Sequence, residues 1–187
     1  MTMRPIVHFG DPVLTTPAAP ITTFDHHTEA LVRDLLDTVD SPGRAGVAAP
    51  QIGVSLRAFS YNIDGEMGYL INPEIVELST EIQEDNEGCL SVPELWYTTR
   101  RAQYAVVRGV DLRNEPVTLR GSGLMARCLQ HENDHLDGML YLDRLDRDTR
   151  RTAMGEIRRS EWFLSKQPEP ATKTPTGLPS AFGGTAN

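Results

Sequence analysis

The nine residues from Gln130 to Gly138 read QHENDHLDG, and they constrain the chain more than any other stretch. On a helix His131 and His135 lie one turn apart, so both imidazoles project from one face within reach of a single ion. Glu132 sits about 100° round from His131, at the edge of that face, where a carboxylate stands beside an ion without ligating it. Such a group suits a general base acting on water that the ion activates. Two ligands on one helix are not yet a site. Either the fold brings a third donor from a distant segment, or the stretch is a solvated helix carrying two surface histidines.

The chain has only two cysteines, Cys89 and Cys128, too few for the disulfide framework of a small secreted domain. Cys128 stands seven residues before His135, roughly 10 Å along a helix axis, too far for both to share an ion with His131. It is expected in the core or in a pocket wall. Cys89, in EGCLSVP, is the better third ligand, since Gly88 lets the backbone approach closely. A lone cysteine is, however, commonly no more than a small buried hydrophobe.

Length and charge narrow the remaining choices. At 187 residues with 39% hydrophobic side chains, the chain can bury one core. A formal net charge of -8 repels nucleic acid and anionic membrane, so no DNA or membrane partner is expected. No apolar run reaches the length of a membrane span or a signal peptide, which leads to a cytoplasmic expectation.

Apolar residues Leu31, Val32, Leu35, Leu36 and Val39 recur at helical spacing between Thr23 and Val39, ended by DSPGRAG. From Arg57 to Leu119 four β-rich runs follow: RAFSYNI, GYLINPEIVEL, QYAVVRGVDL and EPVTLR. These predict mainly antiparallel strands. A second helix runs through GSGLMARCLQHENDHLDG, with Ser122 placed as N-cap and Gly138 as stop. A third is expected within RDTRRTAMGEIRRSEWFLSK. The Pro-, Gly- and Thr-rich stretch 167–187 reads as a disordered tail after a catalytic domain over 1–166.

The segment GRAGVAAPQIGV, from Gly43 to Val54, has the glycines of a phosphate loop but lacks its Lys-Ser/Thr, so nucleotide binding is not expected. Its small residues predict tight packing. Gln51 beside them is placed to donate to an oxyanion.

Together GVAAPQ, EGCLS and HENDHLDG, in this order, resemble the three signatures of the peptide deformylase family, G-x-G-φ-A-A-x-Q, E-G-C-L-S and H-E-x-D-H-L-x-G. The likeness extends from the N-terminus to about Leu145. Arg44 is a departure, standing where the loop's first glycine is usual, with Gly43 one place earlier. The resemblance implies an α+β fold in which a central metal-binding helix packs against antiparallel sheets. It implies removal of the formyl group from N-formylmethionyl nascent chains, with release of formate. By position it makes Cys89, His131 and His135 the metal ligands and Glu132 the acid/base. Gln51 and the Leu90 backbone N–H become the oxyanion hole, Gly46 part of the substrate loop, and Arg101 a contact to the substrate peptide. One divalent ion is implied, Fe2+ in the family, with Zn2+ or Ni2+ as alternatives for a thiolate and two imidazoles.

Given that activity, the helix face carrying Leu124, Cys128 and His131 would line a pocket for the methionine side chain. Arg127 shares that side, where many members have an aliphatic residue. Its stem is expected along the pocket and its guanidinium at the solvent rim, because burying an unpaired charge is too costly. Two other readings stand beside this one. A zinc peptidase shares H-E-x-x-H, but no histidine follows His135 to complete its ligands. A structural metal module would need a fourth protein ligand. Residues 144–166 hold seven basic residues against four acidic ones, either a solvated face or a ribosome-docking surface.

Overall fold

The computed structural model describes residues 3–165, so the tail expected over 167–187 lies outside the described residues. Seven strands and four helices occur in the order α1 (His26–Val39), β1 (Gly46–Ala48), β2 (Ala58–Ile63), β3 (Glu66–Leu78), β4 (Ile82–Cys89), β5 (Val92–Ala102), β6 (Tyr104–Val110), β7 (Pro116–Ser122), α2 (Gly123–Leu136), α3 (Arg147–Ile157) and α4 (Glu161–Leu164). Strands β1-β2-β3-β6-β7 form one antiparallel sheet, and β4 and β5 a separate antiparallel pair. The expected α+β class is the observed one.

Strand periodicity explains how the larger sheet is covered on both faces. Val47, Ala58 and Ile71 pack with Leu31, Val32, Leu35 and Val39 of α1. Their chain neighbours Ala48, Phe59 and Leu70 point the other way, onto Leu129 and Leu136 of α2. The sheet is therefore sandwiched, and α2 is buried almost all round from Ala126 to Leu136. A third cluster, including Cys89, Val92, Tyr141, Leu142, Ala153 and Ile157, seats the β4–β5 hairpin against the C-terminal helices.

Local chemistry sets the boundaries. Asp25 caps α1 by accepting from the His27 and Thr28 backbone N–H groups, so the helix starts at His26 rather than at Thr23. Asp64 and Gly65, at φ of 53° and 85°, make the two-residue turn joining β2 to β3. Gly138 ends the His-bearing stretch at φ 73°, where a Cβ would stand 3.0 Å from the backbone of Thr15 to Pro17. Ser122 occupies the N-cap position of α2, but its side chain makes no capping bond. The C-terminal helical stretch is split, α3 being capped by Asp146 and separated from the single turn of α4.

Strands β4 and β5 were not among the expected runs. The segment IQEDNEGC has too few β-branched or aromatic residues to announce a strand, yet it pairs along its whole length with β5. Its register shifts between Gly88 and Cys89, with Cys89 opposite Val92, so the hairpin end presents Cys89 toward α2.

Candidate metal centre and active site

Three donors converge at the junction of β4 and α2. The ligand atoms of Cys89, His131 and His135 all lie within 4.8 Å of one another, and all three residues are buried. The Cys89 Sγ is 3.3 Å from His135 Nε2, which is 3.2 Å from His131 Nε2. Cys128 is outside this cluster, its thiol 3.4 Å from the Ala45 carbonyl. Among the described residues the cluster has no fourth protein donor, so an ion held here keeps a position for water or substrate. A closed structural site would not.

The donor chemistry fits a borderline-soft divalent ion. Burial, together with the positive charge of Arg101, holds the His135 imidazole well below its ordinary range, leaving it a neutral lone pair to offer. His131 Nδ1 lies 2.6 Å from Glu87 Oε1, which directs Nε2 toward the other donors. Its ring also stacks near Tyr141, with centroids 6.4 Å apart. Against burial, hydrogen bonds from His131 and Arg101 keep the Glu87 carboxyl far below the usual carboxylate range.

Glu132 has no such partners. Burial is the largest influence on it; His131 pulls its pKa down and Glu87 pushes it up, and the outcome is a carboxyl raised to about 7. Its Oε2 is buried without a hydrogen bond. Gly46 explains how the carboxyl fits, because a Cβ there would stand 2.7 Å from Glu132 Cδ and 2.9 Å from Cys128 Sγ. A carboxyl poised near neutrality beside three metal donors can take up a proton and return it.

Gln51, on a short 3-10 turn (Ala49–Ile52), has its amide orientation fixed at both ends. Its Oε1 accepts from Ala48 N–H at 2.9 Å, and its Nε2 points to Ser91 Oγ at 3.3 Å and Cys89 Sγ at 3.5 Å. A cavity of about 290 Å³ opens here, lined in part by Gly46, Leu90, Leu124, Cys128 and Glu132. Leu124 is 54% exposed and stands at its mouth. The departure at Arg44 is accommodated by Gly43 at φ 81°, while the Arg44 guanidinium donates to the Thr38 carbonyl.

Two expected roles are corrected. Arg101 does not line the cavity and its side chain is 3% exposed. It donates through Nε and Nη2 to Glu87 and through Nη1 to Asp134, so its fork is spent on buried carboxylates rather than on a peptide. Arg127 does line the cavity, as expected of its stem, but its guanidinium is not at the solvent rim. Its side chain is 7% exposed, and Nη1 donates to Glu87 Oε2 at 2.7 Å and to the Thr99 carbonyl at 3.0 Å. The expectation assumed an unpaired charge, whereas β4 supplies a partner that the helix sequence cannot reveal.

Glu87, Ser91 and Asp134 were missed as individual residues. Glu87 and Asp134 are the acidic letters of EGCLS and HENDH, so motif membership was the available signal. Asp134 joins Arg101 to Arg144, whose Nη2 donates to Asp134 Oδ1 at 2.5 Å.

Comparison with known proteins gives one answer throughout. The family model for polypeptide deformylase matches residues 3–151. A peptide deformylase of Acidothermus cellulolyticus is 55% identical over 163 residues, covering 87% of this chain and 89% of the relative. One from Parafrankia sp. is 50% identical over 174 residues, covering 92% and 94%. The crystal structure of a peptide deformylase from Legionella pneumophila superposes with a TM-score of 0.80 at 38% identity, over 89% of this chain and 100% of that one.

Proposed function

The chain belongs to the polypeptide deformylase family, the metal-dependent hydrolases that remove the N-formyl group from N-formylmethionyl nascent peptides and release formate, and we propose how its residues divide that work. Cys89, His131 and His135 would hold the ion, which when bound would supply Lewis-acid polarisation of the formyl group and activation of water. We propose Fe2+, the ion the family resemblance implies, with Zn2+ or Ni2+ as alternatives that the same thiolate and imidazole donors suit.

Glu132 accepts the proton of the attacking water and later returns it to the leaving amine, so no net proton is consumed at its carboxyl. Charge building on the formyl oxygen meets Gln51 Nε2 and the Leu90 backbone N–H. The amide of Gln51 is already turned the right way by Ala48 and Ser91, so little reorganisation is needed during reaction. Gly46, Leu90, Leu124 and Cys128 wall the space for the methionine side chain.

The observation that carries this reading is the meeting of three buried donors from two distant segments with the buried carboxyl of Glu132 beside them, its Oε2 without a hydrogen bond. It is tested by metal analysis of anaerobically purified protein together with formate release from a formyl-Met peptide. Protein that carries stoichiometric metal at Cys89, His131 and His135 yet releases no formate would overturn the division of roles.

Among the described residues no helix is long and apolar enough to cross a membrane. We place the enzyme in the cytoplasm, where nascent chains emerge. Within 144–166, Arg144 and Arg150 are engaged by Asp134 and Asp143, while Arg147, Arg151, Arg158 and Arg159 are exposed. These four form the docking surface for the ribosome, and replacing Arg151, Arg158 and Arg159 by Glu should abolish co-sedimentation with ribosomes while leaving peptide turnover intact.

A further inference from the structure

Arg127 is a guanidinium buried in a helix beside a metal centre, and it does not touch the metal donors. It lies on α2 one turn before His131, so both side chains project toward the same strand. There they meet one group. Glu87 Oε2 accepts from Arg127 Nη1 at 2.7 Å and Arg101 Nε at 3.1 Å, while Oε1 faces Arg101 Nη2 and His131 Nδ1, each at 2.6 Å. Arg127 also donates to the Thr99 carbonyl of β5, opposite Asp85 in the hairpin ladder.

The metal donors come from two elements, β4 with Cys89 and α2 with the two histidines. Glu87 and Cys89 are both buried at the end of the hairpin and both face α2, Glu87 at His131 and Cys89 at His135. A carboxylate bonded to two successive turns of α2 therefore fixes the distance between the hairpin and the helix, and with it the distance from the thiol to the imidazoles. We infer that Arg127 is a positioning residue that clamps Glu87 to α2 and through it sets the orientation of His131 and the spacing of the metal donors.

Stability alone gives little reason for this arrangement. A buried ion pair is commonly no better than well-packed apolar residues of the same volume, and Arg127 Nη2 is buried without a partner. Arg127 lines the cavity, but its charged end is turned away from substrate, Nη1 being held by Glu87 and the Thr99 carbonyl and Nη2 being buried.

The inference rests on the metal-site reading above, and its test is separable from it. Zn2+-loaded wild type, Arg127→Met, Arg127→Lys, Glu87→Gln and the Arg127→Met/Glu87→Gln double variant are mixed with excess chelator, and metal release is followed. Loss of an outer-sphere partner typically weakens metal holding by about 10 to 100-fold. Arg127→Met should release metal on the order of tenfold faster, Glu87→Gln at least as fast, and the double variant no faster than Glu87→Gln. Arg127→Lys should recover part of the loss.

Additive effects in the double variant would overturn the inference, as would wild-type metal release from Arg127→Met with only its melting temperature or its KM changed. Should Glu87→Gln fail to fold, the Met and Lys variants decide, with no recovery by lysine counting against the clamp. Wild type that binds no metal and releases no formate would instead refute the site assignment itself.

Discussion

Replacing Glu132 by Gln should make the metal-stripped protein more stable than wild type at alkaline pH, and should remove most of the activity of the metal-loaded protein. Glu132 is buried in the cavity wall, its Oε2 has no partner, and burial lifts its carboxyl from the ordinary 4.5 to about 7. A folded-state pKa above the unfolded one means that the folded chain keeps its proton over a range where the unfolded chain has lost it. Stability from this group is thus complete below about pH 4.5 and drains away as pH rises through about 7. The separation of about 2.5 units, at about 1.36 kcal/mol per unit, amounts to roughly 3 kcal/mol lost by pH 8. Glutamine cannot ionise and escapes this loss. The assay is urea unfolding of chelator-treated wild type and Glu132→Gln at pH 5 and pH 8. Other titrating groups are common to both proteins, so the difference of differences isolates Glu132. In the metal-loaded form the same variant should retain its ion and lose at least on the order of a hundredfold in kcat, since a proton carrier is removed and no ligand is touched. Parallel pH dependences in the two proteins would refute the buried-carboxyl reasoning, and full activity in the variant would refute the role of Glu132.

Cys89→Ala should lose metal and activity together, whereas Cys128→Ala should keep its metal as measured by elemental analysis, because its thiol faces the Ala45 carbonyl outside the donor cluster. Gly46→Ala should lower kcat by at least about tenfold and cost about 1 to 3 kcal/mol in urea unfolding, since the new methyl falls against the Glu132 carboxyl and the Cys128 thiol. Ser91→Ala should leave metal content unchanged but reduce kcat about five- to tenfold, because releasing the Gln51 amide costs about 1 kcal/mol of its preorganisation. Unchanged turnover in Ser91→Ala would mean that Ala48 alone holds Gln51.

How much of the site was legible follows from the range of the interactions involved. His131, Glu132 and His135 share a helix, so their relative placement is fixed by helical geometry and can be derived before any fold is known. The same holds for the exclusion of Cys128 from the donor set, a distance along one axis. The stop at Gly138 and the turn at Asp64-Gly65 are likewise backbone properties of the residues themselves. Strands β2 and β6 and the middle of β3 announced themselves because the sheet is buried on both faces there and takes apolar residues in nearly every position, and β7 did so by alternating half-buried and exposed positions. Strand β4 did not, because its polar residues are held by pairing with β5 and by a buried charge network rather than by an apolar face.

The two arginines show where reasoning along the chain ends. Arg127 was expected at the rim on a sound premise, that an unpaired guanidinium is too costly to bury, but whether it is unpaired depends on a carboxylate forty residues away. Arg101 was expected to reach substrate, yet Glu87 and Asp134 take its whole fork. The sequence by itself determined the chemistry on offer: two imidazoles and a carboxyl on one helix face, a thiol elsewhere, and a small-residue loop ending in an amide. Only the tertiary structure decided which charges are buried in pairs, because desolvation and ion pairing are settled by neighbours in space, and those neighbours come from β4 and α2, which meet only once the chain has folded.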